Sequence, residues 1–103
     1  MAQLSVIAKL TAKAGRRDEL VDKLRALVAV TESEPGTLVY SLSVSSSEPD
    51  VMWFFELYPD QEALAAHSGS EGMKAAGAAM GDLLGGAPEL HLCELVVAKG
   101  LPG

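Results

Sequence analysis

Little in this chain can crosslink, stack or carry positive charge. Cysteine occurs once, at Cys93, so no disulfide can close within the chain, and a reducing, cytoplasmic setting suits it. The aromatic residues are Tyr40, Trp53, Phe54, Phe55 and Tyr58 alone. Basic side chains are scarce: 8 Lys and Arg stand against 14 Asp and Glu, for a net charge of −6. With no basic cluster, the chain is repelled by phosphate backbones and by anionic lipid surfaces, which excludes nucleic-acid and membrane partners. No apolar run approaches the roughly 20 residues that span a bilayer. The N-terminal Met1-Ala2-Gln3-Leu4 has no basic n-region, so no signal peptide is expected either.

Several chemical signatures are missing too. Ser45-Ser46-Ser47 has no nucleophile elbow around it. Gly69, Gly72, Gly77 and Gly81 do not follow a strand as a phosphate-binding loop would. His91 and Glu89 are two ligand types at strand spacing, too few for a metal site, and none is expected. Cys93 has no neighbouring base and reads as a small apolar residue.

What is present is 103 residues, 49% hydrophobic, enough for one domain over residues 1–103 that buries roughly 60–68% of its unfolded surface. Gln3 to Lys13 alternates as a strand, with Leu4, Val6, Ala8 and Leu10 on one face. A helix follows from about Arg16 to Thr31, with Leu20, Leu24, Leu27 and Val28 on one side. Asp18 and Glu19 favour its positive end, and Glu19 is spaced to pair with Lys23. Glu34-Pro35-Gly36 is a turn, and Thr37 to Val44 a second strand. After a polar connection, Val51 to Tyr58 is a third strand, apolar on both faces at Val51-Met52-Trp53-Phe54-Phe55.

Asp60 caps a short helix carrying Leu64 and His67, Ser68-Gly69 interrupts it, and Ser70 caps another with Met73, Ala76, Met80, Leu83 and Leu84. The glycines of that last helix each cost about 1 kcal/mol against Ala, so it depends on docking and suits a mobile lid. Glu89 to Lys99 reads as the final strand. The order βαββαβ defines an α+β, ferredoxin-like sandwich with an antiparallel sheet and both helical segments on one face. The other face carries apolar side chains, and a homodimer, sheet packed on sheet, is its simplest cover.

Three stretches together resemble the antibiotic biosynthesis monooxygenase (ABM) superfamily of dimeric α/β-barrel proteins, which includes quinol monooxygenases. They are Glu34-Pro35-Gly36 followed by Tyr40; Phe55-Glu56-Leu57-Tyr58 leading into Asp60-Gln61-Glu62-Ala63-Leu64 and Ala66-His67; and Met73-Lys74. The resemblance spans nearly the whole chain. It implies a cofactor-independent oxidation of a phenolic, anthrone-like or quinol aromatic by molecular oxygen, without metal or flavin, the substrate supplying the electrons. It also implies departures: a second His frequent in the family falls on Gly72, and the haem-degrading branch would need other residues at Gly77, Tyr58 and Ile7 or Ala8.

His67 is the leading catalytic candidate, because an imidazole can take a phenolic proton near neutral pH; the plainer role is a helix-terminal His bonded to a carbonyl. Glu56 shares a strand face with Met52, Phe54 and Tyr58, where burial raises a carboxyl; it would orient His67 or hold a substrate hydroxyl, or else make a structural bond to a Tyr hydroxyl or the backbone. Tyr40 would bond a ligand oxygen. Trp53, Phe54, Tyr58 and Met73 would wall the substrate, or equally serve as core or interface. The competing functions are a non-catalytic dimeric module that binds a small aromatic and a stress-related structural dimer.

Overall fold

The computed structural model describes residues 3–101; the N-terminal reading at Met1-Ala2 lies outside them. Strand β1 (Leu4–Thr11) leads to helix α1 (Arg17–Thr31), then strands β2 (Val39–Val44) and β3 (Val51–Tyr58). Helices α2 (Gln61–Ser68) and α3 (Glu71–Met80) follow, then a single 3-10 turn at Gly81–Leu83 and strand β4 (Glu89–Glu94). The four strands form one antiparallel sheet in the order β2-β3-β1-β4. This is the α+β, ferredoxin-like arrangement expected from the alternation of apolar residues.

Register sets which side chains meet. Tyr40, Glu56, Val6 and Leu92 form one row across the sheet, and Leu42, Phe54, Ala8 and Leu90 the next. Both rows lie on the helix side. Beneath α1 the packing is apolar: Leu20, Leu24 and Leu27 close on Ala8, Leu10, Met52 and Phe54. Neighbours on a strand point to opposite faces, so Ile7, Lys9, Trp53 and His91 occupy the other side.

The helix caps at Asp60 and Ser70 form as their residue types dictate. Asp60 Oδ1 accepts the Ala63 N–H at 2.9 Å, and Ser70 Oγ accepts the Met73 N–H at 3.2 Å. At the start of α1 the expected Glu19–Lys23 pair gives way to Arg16, whose guanidinium grips both oxygens of Glu19 at 2.8 and 2.9 Å. A forked, charge-assisted contact outcompetes a single ammonium. β2 begins at Val39 rather than Thr37.

β4 is the larger correction. It ends at Glu94, opposite Leu4 at the start of β1; beyond it the Leu95 N–H donates to the Gln3 carbonyl at 2.8 Å. Residues 96–99 are not strand. α3 has no buried residue. It lies on the surface of α1, where a Cβ at Gly72 would stand 2.8 Å from Val30 Cγ1. Any side chain at that position would require Val30, a β-branched neighbour that is stiff in a helix, to shift.

Candidate functional site

The candidate site lies where α2 crosses the Tyr40–Glu56–Val6–Leu92 row. α2 starts at its Asp60 cap, and two turns later His67 points down onto the sheet, only 4% exposed. Its Nδ1 lies 2.7 Å from Glu34 Oε1, in the turn after α1. The same Glu34 oxygen accepts the Thr37 hydroxyl at 2.9 Å. On the far side of the ring, Nε2 stands 4.0 Å from Glu56 Oε1. That gap is too long for a hydrogen bond, and Nε2 is a buried nitrogen without a hydrogen-bond partner.

Glu56 is 7% exposed and accepts the Tyr58 hydroxyl at 2.6 Å. Burial pushes the Glu56 carboxyl above the ordinary carboxylate range, against the opposing pull of the Tyr58 hydroxyl and of His67. Tyr58 is raised well above an ordinary phenol, first by burial and then by its bond to Glu56. Tyr40 is raised likewise by burial, then by the charges of Glu56 and Glu34. Both tyrosines therefore stay protonated and act as donors, not bases. The Tyr40 ring packs on His67 with centroids 4.9 Å apart, and its hydroxyl reaches Met73 Sδ at 3.9 Å.

His67 and Glu56 both line a cavity of about 420 Å³, within the range that holds small ligands. Val6, Leu64, Met73, Leu90 and Leu92 give it apolar walls, and Glu56, His67, Gln61 and Ser68 its polar groups. No lysine or arginine lines it. Leu90 and Leu92 form its rim and stay 69% and 56% exposed. A larger cleft of about 550 Å³ runs between α1 and β2 past Tyr40, Leu42 and Val44. It touches neither His67 nor Glu56, so it lacks the chemistry of the smaller cavity. Among the described residues no group of three or more His, Cys, Asp or Glu is arranged to hold a metal ion.

The structure brings His67, Glu56, Tyr40, Tyr58 and Met73 together, but not all as ligand contacts. Tyr58 is fully buried and reaches the cavity only through Glu56. Phe54 is buried beneath Tyr40, with ring centroids 4.8 Å apart. Trp53 is on the opposite face of the sheet, 38% exposed with the Lys9 ammonium over its ring, and cannot wall this cavity in the same chain. Met73 is the one expected wall residue that lines it. Sequence reasoning placed Glu34 in a turn and in the first stretch of the family resemblance, gave it no role at the site and missed its contact with His67, along with the Val6, Leu90 and Leu92 walls. The register of β4 on β1 brings those last residues in.

Fold and site together define a ferredoxin-like domain with a buried His–carboxylate pair above an apolar cavity. The chain belongs to the antibiotic biosynthesis monooxygenase family, whose profile matches residues 3–79. An antibiotic biosynthesis monooxygenase candidate from Caulobacter crescentus CB15 is 36% identical, with a TM-score of 0.89 over 93% of this chain and 92% of that one. A solved antibiotic biosynthesis monooxygenase is 29% identical, with a TM-score of 0.83 over 91% of this chain and 99% of the other. A Pseudomonas aeruginosa protein is 27% identical, with a TM-score of 0.86 over 94% and 97%. No match is found among curated proteins. No helix among the described residues is long and apolar enough to cross a membrane.

Proposed function

We propose that this protein is a cofactor-independent monooxygenase that oxidises a neutral phenolic, anthrone-like or quinol aromatic with molecular oxygen. The observation that carries the reading is that His67, whose buried Nε2 has no hydrogen-bond partner, lines an apolar cavity together with Glu56. One hydroxyl oxygen entering between Nε2 and Glu56 Oε1, which stand 4.0 Å apart, would contact both at about 2.8 Å once the ring moves enough to uncover Nε2. A neutral substrate follows from the lining: a carboxylate or phosphate would meet Glu56 and find no cation to pair with.

His67 Nε2 takes the phenolic proton, and the imidazolium formed lies between Glu34 and Glu56. The electron-rich phenolate passes one electron to triplet oxygen, the radical pair combines at a ring carbon, and the peroxide anion formed takes the proton back from the His67 imidazolium to give a hydroperoxide. Loss of water turns that carbon into a carbonyl. For an anthrone-like methylene, CH₂ becomes C=O; one oxygen atom enters the product and the other leaves as water. The apolar walls limit water around the phenolate. Tyr40 supports the imidazole, and Met73 contacts the substrate.

The working unit in this reading is a homodimer in the cytoplasm. Exposed Ile7 and Trp53 on the bare sheet face support the dimer, and the lone Cys93 suits the compartment. A second reading, ligand binding without turnover, is favoured by Gly72, where the family's second His is absent.

Oxygen uptake by chelator-treated protein, measured against a panel of anthrones and naphthoquinols, tests the proposal. Uptake above autoxidation, lowered about 10²-fold or more in His67→Ala, is expected. Uptake unchanged in that variant removes His67 as the base. Ligand binding with no uptake from any compound favours the binding module.

A further inference from the structure

We infer that Glu34 is the positioning residue of this site: it holds the His67 ring as the Nδ1–H tautomer, so that the lone pair at Nε2 faces Glu56. The catalytic consequence rests on the proposed role of His67 as base, whereas the tautomer does not.

Two contacts converge on one atom. Glu34 Oε1 accepts the Thr37 hydroxyl at 2.9 Å and lies 2.7 Å from His67 Nδ1. A carboxylate oxygen with two lone pairs accepts both, which makes Nδ1 the donor. A free neutral imidazole favours its proton on Nε2, so the acceptor at Nδ1 reverses the intrinsic preference. Without it, Nε2 would carry the proton and present a donor where the reaction needs a base.

The carboxylate is itself held in place. The Glu34 N–H donates to the Thr31 carbonyl at 2.9 Å, and its own carbonyl accepts the Thr37 N–H at 3.1 Å. The turn seats against α2 at Gly36, where a Cβ would stand 2.9 Å from Ala63 Cβ. Ala63 is one helical turn before His67 and shares its face. Glycine at position 36 therefore lets the Glu34 turn approach the very helix that carries the imidazole. The remaining titratable groups around the ring, Glu56, Tyr40 and Tyr58, all lie on its sheet side, so Glu34 alone addresses Nδ1.

Protein labelled with ¹⁵N at its two histidines reads the tautomer by long-range ¹H–¹⁵N correlation near neutral pH, with His91→Asn to assign the signals. The wild type is expected to show a protonated Nδ1 and a bare Nε2. Glu34→Ala is expected to move the proton to Nε2, and added formate, filling the vacated carboxylate position, to return it. On any substrate that turns over, the same variant should lose about tenfold or more in kcat with KM within about twofold, and formate should restore part of it. A wild-type Nε2–H tautomer, or a tautomer unmoved by Glu34→Ala, overturns the inference. Should Glu34→Ala not fold, the wild-type spectrum still decides. If no substrate is oxidised but the tautomer behaves as described, the monooxygenase reading fails and the positioning role stands.

Discussion

The two ends of the sheet's helix-facing surface are built on opposite terms. Under α1, Leu10, Met52 and Phe54 meet Leu20, Leu24 and Leu27 in a cluster of buried apolar side chains. Under α2, the equivalent positions are Glu56 and Tyr58, capped by His67, beside a cavity of about 420 Å³. One strand, β3, supplies both halves, changing from Met52 and Phe54 to Glu56 and Tyr58 within a single alternation. Burying Glu56 and an unpartnered imidazole nitrogen costs stability that the α1 half must offset. A domain that buries a carboxyl and an unpartnered imidazole nitrogen in one half and apolar side chains in the other marks the first as the place where function is built.

Truncation on each side tests this contrast most severely. Leu24 is fully buried, so Leu24→Ala is expected to cost about 2–5 kcal/mol and lower Tm by about 10 °C or more. Met73 is half-buried, at the cavity wall, and Met73→Ala should cost less than half as much. Thermal melts of the pair decide: equal losses would mean that the α2–α3 half is packed as tightly as the α1 half, and the contrast would collapse.

Much of this architecture was legible because the apolar period states it. The alternation in β1 and β3 fixed the helix-facing set, and Glu56 stood out as a carboxyl on a buried face. Asp60 and Ser70 announced their caps, and His67 its place at the end of α2. Other features depend on distance along the chain. Glu34 is 33 residues from His67, and neither its turn nor its place in the family-like stretch points to that histidine, so the packing of the turn on α2 is what reveals the contact. Trp53 and Phe54 read together as stacking partners, yet adjacent strand residues point apart and only Phe54 faces the helices. The end of β4 was hidden because Leu95, Val96 and Val97 have strand character, while the pairing with β1 ends at Glu94, opposite Leu4.

Charge gives the next, smaller separation between the halves. The folded state raises the Glu56 carboxyl, mainly by burial. It therefore binds its proton more tightly folded than unfolded, and its contribution is full at acid pH and lost as pH rises through the folded value. Glu56→Gln keeps an oxygen to accept the Tyr58 hydroxyl and removes the ionisation. The variant should gain stability over wild type at about pH 7.5 and lose that advantage at about pH 4. Denaturant midpoints at the two pH values measure it. A gap that does not change with pH would show that burial of the charge is not what distinguishes this half.

The smallest effect on stability is the sharpest on location, because the sheet has a cleft at each edge. Leu92 on β4 rims the His67 cavity at 56% exposure, and Val44 on β2 lines the larger α1–β2 cleft at 47%. Both are half-open edge-strand residues, so Leu92→Gln and Val44→Gln should each change stability by no more than about 0.5 kcal/mol. Their effects on a bound bicyclic phenol should differ. Losing the apolar contact of Leu92 is worth about 1 kcal/mol, roughly a fivefold rise in Kd, whereas Val44→Gln should leave Kd alone. Titration calorimetry with a naphthol reads both. The reverse pattern would put the ligand in the larger cleft, against the face of Tyr40 and away from Nε2, and would leave the buried His67–Glu56 pair as structure alone.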